Sequence, residues 1–177
     1  MTGYLGAYRI LLSDLVVLTG CEEPLVSKDA VARLREAIAD VKADIPVVAT
    51  VFRQRPVVPV DGRRVALFST APEEIHDRVR EHLEAEHGAD VVLVSGNLSK
   101  RKELREDLER KEARSADVYL VEIKAAAIEV VAEAASERGI DVVFAENAIM
   151  SVDGEPDVDE ELRKVADAAV REPAAAS

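Results

Sequence analysis

Three short stretches of this chain carry side chains suited to holding anions. Phe52-Arg-Gln-Arg-Pro56 sets two guanidinium groups, Arg53 and Arg55, directly after a β-branched run. A guanidinium fork matches phosphate or carboxylate oxygens in pairs, so Arg53 and Arg55 read as an anion clamp, the alternative being two solvated charges. Asn97-Leu-Ser99-Lys100-Arg101 follows another such run and opens a helical pattern. With Ser99 as the cap, the free helix N–H groups, Asn97 and Lys100 make an anion seat; plain capping by Ser99 is the competing reading. Glu122-Ile-Lys124 places an acid and a base at the end of a third run, either as a polar cluster at a site or as an ion pair at a helix start.

The charge distribution sharpens this pattern. The 177 residues carry a formal net charge of −12, yet residues 51–64 sum to +3 and residues 99–114 to +2. A basic rim on a strongly acidic protein fits a phosphorylated or polycarboxylate ligand, and the overall charge argues against nucleic acid or an anionic membrane as partner. Within that rim, Arg63 and Arg64 beside Asp61-Gly62 read more simply as a solvated turn. The bases are 16 Arg and 7 Lys, and an acidic, lysine-poor surface suits a salty cytoplasm.

Other chemistry is excluded. His76, His82 and His87 are never four apart, so no helix-borne metal pair forms and no metal site is expected. Cys21 is the one cysteine, which rules out a disulfide framework and reads as a small buried thiol. Asp153-Gly-Glu155-Pro-Asp157 hints at a calcium loop, but Val158 and Lys164 stand where glycine and glutamate belong. None of the eight glycines forms G-x-x-x-x-G-K-[ST] or G-x-G-x-x-G, so the chain has no nucleotide cradle of its own.

The elements that must position these residues alternate. Nearly continuous apolar runs at 14–19, 46–52, 64–69, 90–95, 117–122 and 140–145 read as strands covered on both faces. Helical patterns lie between them, at about 28–42, from a capping box at Thr70-Ala-Pro-Glu73, at 100–114 and at 124–138, the last closed by Gly139. A further helix spans 4–12 and a last one runs from 157 to before Pro173. The expected fold is α/β, a three-layer, mostly parallel sheet with helices on both faces, filling one domain over 1–172 with a flexible tail at 173–177. Ser13 and Asp14 break the longest early apolar stretch, which also lacks a basic leader, so the chain reads as cytoplasmic.

Several stretches carry a resemblance. They are Tyr8-Arg-Ile-Leu-Leu-Ser-Asp-Leu-Val-Val-Leu-Thr19 with Cys21-Glu-Glu-Pro24, Pro46-Val-Val-Ala-Thr-Val-Phe-Arg-Gln-Arg-Pro56, Ser95-Gly-Asn-Leu-Ser99 with Leu104-Arg-Glu-Asp-Leu108, and Glu122-Ile-Lys-Ala-Ala-Ala127. In that order they resemble the C-terminal part of the cyclic 2,3-diphosphoglycerate synthetase family, from about residue 3 to about residue 165. The resemblance implies a Rossmann-like, P-loop-nucleotidase-like half. It also implies a cytoplasmic ligase dependent on ATP and Mg2+, acting as a homo-oligomer, that closes 2,3-diphosphoglycerate into a cyclic pyrophosphate. On its positions Arg53 and Arg55 would clamp substrate phosphate, Asn97, Ser99 and Lys100 would form a second seat, and Lys124 beside Glu122 would be the catalytic pair. The chain is expected to match the C-terminal part alone, so ATP turnover would need a P-loop half from a partner chain. The alternative is a non-catalytic module for a phosphorylated metabolite, or an inactive fragment.

Overall fold

The computed structural model describes residues 6–123 and 127–171. The elements in chain order are α1 (Gly6–Leu11), β1 (Val16–Leu18), α2 (Lys28–Ala39), β2 (Val47–Pro56), β3 (Arg64–Phe68), α3 (His76–His87), β4 (Asp90–Ser95), α4 (Arg101–Leu108), α5 (Lys111–Arg114), β5 (Val118–Glu122), α6 (Ile128–Arg138), β6 (Asp141–Ser151) and α7 (Val158–Arg171). The fold is α/β with a mostly parallel six-stranded sheet flanked by helices, as the alternation of runs predicts. The chain divides into two compact units, residues 53–148 and residues 1–52 with 149–177.

In the 53–148 unit, β4, β3, β5 and β6 are neighbours in that order and all parallel, with Leu67 opposite both Val94 and Leu120. Side chains alternate along a strand, so a strand covered on both faces must be apolar at every position. Accordingly Val65 and Leu67 pack with Val79 and Leu83 of α3, while Ala66 and Phe68 pack with Leu104 and Leu108 of α4 and Val130 and Val131 of α6. Phe68 also meets Tyr119 edge-to-face, with ring centroids 5.2 Å apart. Helix α6 ends where expected, at Gly139, whose φ of 65° favours a residue without Cβ.

The unit of residues 1–52 and 149–177 has a smaller core of Ile10, Ile38 and Ile45, bordered by Val16, Leu18, Val41 and Val47. Strand β1 pairs in parallel with β2, Val17 opposite Val48. Ser27 caps α2 by accepting from the Ala30 N–H at 3.2 Å. The acidic 153–157 stretch makes turns and tethers: Glu155 pairs with Arg35 and accepts from the Ala49 N–H at 3.2 Å, and Asp157 accepts from the Glu160 N–H at 2.8 Å.

Three of the differences from the sequence reading are large. Strand β2 runs on to Pro56 and β6 to Ser151. The reason is mutual pairing: Val57 N donates to Phe144 O at 2.9 Å, and Val152 N donates to Ala49 O at 3.0 Å. Both bonds fit one antiparallel register, the exception to an otherwise parallel set. The 100–114 helix is two helices, broken at Arg110, whose ψ of 148° is extended. The 173–177 tail lies outside the described residues. Among the described residues no helix is long and apolar enough to cross a membrane.

Candidate functional site

Parallel strands bring their carboxyl ends to one edge, where ligands of open α/β sheets bind. In the 53–148 unit that edge collects Ser69 and Thr70 after β3, Ser95 closing β4 with Gly96 and Asn97 after it, Glu122 closing β5, and Asn147 within β6. Two buried carboxylates organise it. Glu122 accepts from the Thr70 N–H at 2.8 Å, the Thr70 hydroxyl at 3.1 Å and Asn147 Nδ2 at 2.7 Å. Asn147 Oδ1 in turn accepts from Gln54 Nε2 at 3.3 Å. Asp107, from α4, accepts from the Ser95 hydroxyl at 2.6 Å and Asn97 Nδ2 at 2.9 Å, and pairs with Arg110 at 2.8 Å. A buried carboxylate is tolerable only when its lone pairs are met by donors, and both are so met.

The loops after β3 and β4 are also stitched to each other. Ser69 N donates to Ser95 O at 2.9 Å, and Leu98 N donates to Ser69 O at 3.0 Å. A Cβ on Gly96 would lie 2.3 Å from Ala71 O, so glycine is what lets the two backbones touch. The result is a rigid, polar rim.

The sequence-predicted residues divide on it. Asn97 belongs to the rim, but with its amide nitrogen turned to Asp107. Ser99 and Lys100 are exposed beside it. Ser99 is not the cap of α4: the helix starts one residue later, with Lys100 at the N-cap and no side-chain bond there. Glu122 is central, with both carboxylate oxygens accepting. Lys124 lies outside the described residues.

Arg53 and Arg55 do not follow the strand; they lie within β2, alternating with buried Gln54 and so directed away from the face on which Gln54 meets Asn147. Arg55 pairs with Glu146 at 2.8 Å, both side chains exposed. Arg53 lies near α3: burial, then His87, then the Arg53 charge lower the pKa of His82 below its ordinary value. By that alternation the two arginines share the face of β2 opposite Gln54.

Arg63 and Arg64 take the bland reading. Arg64 pairs with Asp117 at 2.9 Å and Arg63 with Asp141 at 2.6 Å, at the strand starts and away from the rim. Sequence reasoning passed over Asp107 and, although it puts Gln54, Thr70 and Asn147 at the carboxyl edge of the sheet, gives them no role in the site. A signal for Asp107 existed, since Leu104, Asp107 and Leu108 share one helical face and an acid on an apolar stripe needs a partner. Thr70 read as the start of a capping box, but its hydroxyl bonds Glu122 instead.

The family model described as "Cyclic 2,3-diphosphoglycerate synthetase C-terminal domain" matches residues 56–148, nearly the whole unit that carries this rim. The chain belongs to the cyclic 2,3-diphosphoglycerate synthetase family. The family's P-loop domain model matches residues 1–51, which corrects the expectation of a C-terminal part alone. Among synthetases of that name, the one from Rubrobacter xylanophilus is 49% identical over 147 residues, 83% of this chain and 33% of the relative. That from Methanothermus fervidus is 38% identical over 153 residues, 86% of this chain and 33% of the relative. That from Methanothermobacter thermautotrophicus is 36% identical over 168 residues, 94% of this chain and 36% of the relative. The chain thus spans about a third of the length of these curated relatives.

Proposed function

We propose that this chain is the phosphate-handling part of a cyclic 2,3-diphosphoglycerate synthetase, an ATP-dependent ligase that joins two phosphates of one molecule as an internal anhydride. The observation that carries the reading is the match of the family's C-terminal domain to residues 56–148, which include Asn97, Ser99, Lys100, Glu122 and Lys124.

Closure brings two phosphates, each near −2 at neutral pH, within bonding distance. At about 4 Å that repulsion is about 4 kcal/mol even in water, and more in a drier site. Fixed cations must offset it. Lys100 and Ser99 at the rim, Lys124, two residues after Glu122 in sequence, and Arg53 and Arg55 on β2 are the groups assigned to substrate phosphate and to the reacting pair. Glu122 holds Thr70 and Asn147 in place.

The sequence holds no G-x-x-x-x-G-K-[ST] string, and among the described residues no three His, Cys, Asp or Glu converge as metal ligands. ATP use is assigned to the synthetase as a whole, in keeping with the match of the family's P-loop domain model to residues 1–51. The lone cysteine, Cys21, is unpaired and fits a reducing cytoplasm, and a homo-oligomer is what the family resemblance implies.

The test combines the purified chain with a separately expressed P-loop-bearing part of the Rubrobacter relative, ATP, Mg2+ and 2,3-diphosphoglycerate. Phosphorus NMR should show the cyclic product only when both polypeptides are present. Tight binding of 2,3-diphosphoglycerate with no product would instead support a non-catalytic binding module.

A further inference from the structure

We propose that Asp107 is a positioning residue for phosphate binding: it fixes the 95–100 loop in the shape that offers Ser99 and Lys100 to the ligand. The proposal rests on the reading of that loop as a phosphate seat.

The argument starts from the cost of a carboxylate at this place. Asp107 is 3% exposed and lies on the α4 face that buries Leu104 and Leu108. An apolar residue would continue that face at no electrostatic cost, whereas a buried carboxylate is sustained only by the donors gathered round it. Those donors are not spread through the helix. Two of the three come from the end of β4, ten and twelve residues upstream: the Ser95 hydroxyl at 2.6 Å and Asn97 Nδ2 at 2.9 Å, both on Oδ2. Arg110 holds the other oxygen at 2.8 Å.

From this anchor the loop is built outward. Asn97 N donates to the Ser95 Oγ at 3.2 Å, and Lys100 N donates to Asn97 O at 2.7 Å, closing a turn. Asn97 thus has its side chain committed to Asp107 and its carbonyl to Lys100, so it shapes the loop. Ser99 and Lys100 are left exposed at the carboxyl edge.

The sign of one substitution separates positioning from simple charge. Removing a negative charge near an anion site must by electrostatics alone tighten anion binding. If Asp107 positions the loop, D107N loosens it instead, because the new amide group presents an N–H to Asn97 Nδ2 or to Arg110 in place of an acceptor. The measurement is titration of the full chain with 2,3-diphosphoglycerate at constant salt, following heat and the backbone amide resonances of Ser99 and Lys100.

The expected result is that D107N and N97A each bind on the order of tenfold more weakly, the scale of lost charge-assisted hydrogen bonds. The double variant should bind no more weakly than D107N, and Ser99 and Lys100 should lose their ligand-dependent shifts in N97A while it melts within a few degrees of the parent. Affinity in D107N equal to or tighter than the parent overturns the proposal and leaves the phosphate seat standing, provided K100A still weakens binding. If D107N does not fold, unchanged affinity in N97A overturns it equally. Absence of binding by the parent chain overturns both the proposal and the seat on which it rests.

Discussion

The two units of this chain bury their apolar residues very differently. In the 53–148 unit, β3 and β5 are sealed on both faces, and Val65, Ala66, Leu67, Phe68, Val118, Tyr119, Leu120 and Val121 are wholly buried. In the other unit all three residues of β1 are only half-buried, the clustered core is three isoleucines, and Tyr8, Leu11 and Leu12 are exposed. What holds that unit's loops is more polar: Arg35 to Val47 O at 2.7 Å and to Glu155, and Lys42 to Ser13 O at 2.6 Å. The rim of candidate site residues belongs to the unit with the two-sided core, where packed strands can hold loop ends still.

The largest effect that tests this contrast is truncation of the core. Leu120→Ala should cost about 3–5 kcal/mol, the range for large cavities in tightly packed interiors, whereas Ile38→Ala should cost about 2, since its smaller cluster can relax round the gap. Denaturant unfolding followed by probes in each unit reads both. Equal costs would break the comparison. Gly96→Ala comes next, at about 1–3 kcal/mol, because its Cβ would enter the Ala71 carbonyl and part the two rim loops. A loss below 0.5 kcal/mol would mean the loops separate freely.

Arg138→Met follows at about 1–2 kcal/mol. Its guanidinium donates to Leu108 O at 2.6 Å and to the Tyr119 hydroxyl at 2.9 Å, so its removal orphans two acceptors against the α4 and α6 layer. Burial alone would lower the Arg138 pKa, but Tyr119 and Glu109 outweigh it and raise it. The methionine keeps most of the packing, so its thermal shift should isolate the hydrogen bonds.

Much of the fold was legible in the sequence because apolar runs such as Val65-Ala-Leu-Phe68 are long enough to exclude a one-faced strand, and because Gly139 marks a helix end directly. The ends of β2 and β6 were not legible. Polar residues such as Arg53 and Glu146 stay extended there because the two strands pair with each other, a long-range fact that no local pattern encodes. The site divides for the same reason. Asn97, Ser99, Lys100 and Glu122 follow from their position after strands, while Thr70, Gln54 and Asn147 acquire meaning only from the Glu122 carboxylate that gathers them. Arg53 and Arg55 were read as a pair after a strand; placed within it, they alternate with Gln54, and Arg55 pairs with Glu146.

The smallest expected effect is a difference in pH response between the units. In the 53–148 unit, hydrogen bonds from the Arg64 side chain and backbone hold the Asp117 pKa below its ordinary value, and the Arg114 hydrogen bond does the same for Glu109. A depressed carboxyl pKa adds stability above the unfolded value of about 4, and that contribution is lost as pH falls through the lower folded value. In α7 of the other unit the sign reverses. Glu161 and Glu160 raise the Lys164 pKa, so its contribution is full below the unfolded value of about 10.4 and is lost as pH rises through the folded one. All these groups are exposed, so salt should screen the effect on both limbs. Amide NMR of each unit through acid and alkali checks the sign: D117N should flatten the acid response of the first unit alone, K164M the alkaline response of the second, and 1 M salt should erase both. A D117N effect that survives high salt would mean that Asp117 acts through its backbone bond to Arg64 N at 2.9 Å, as a structural acceptor rather than as a charge.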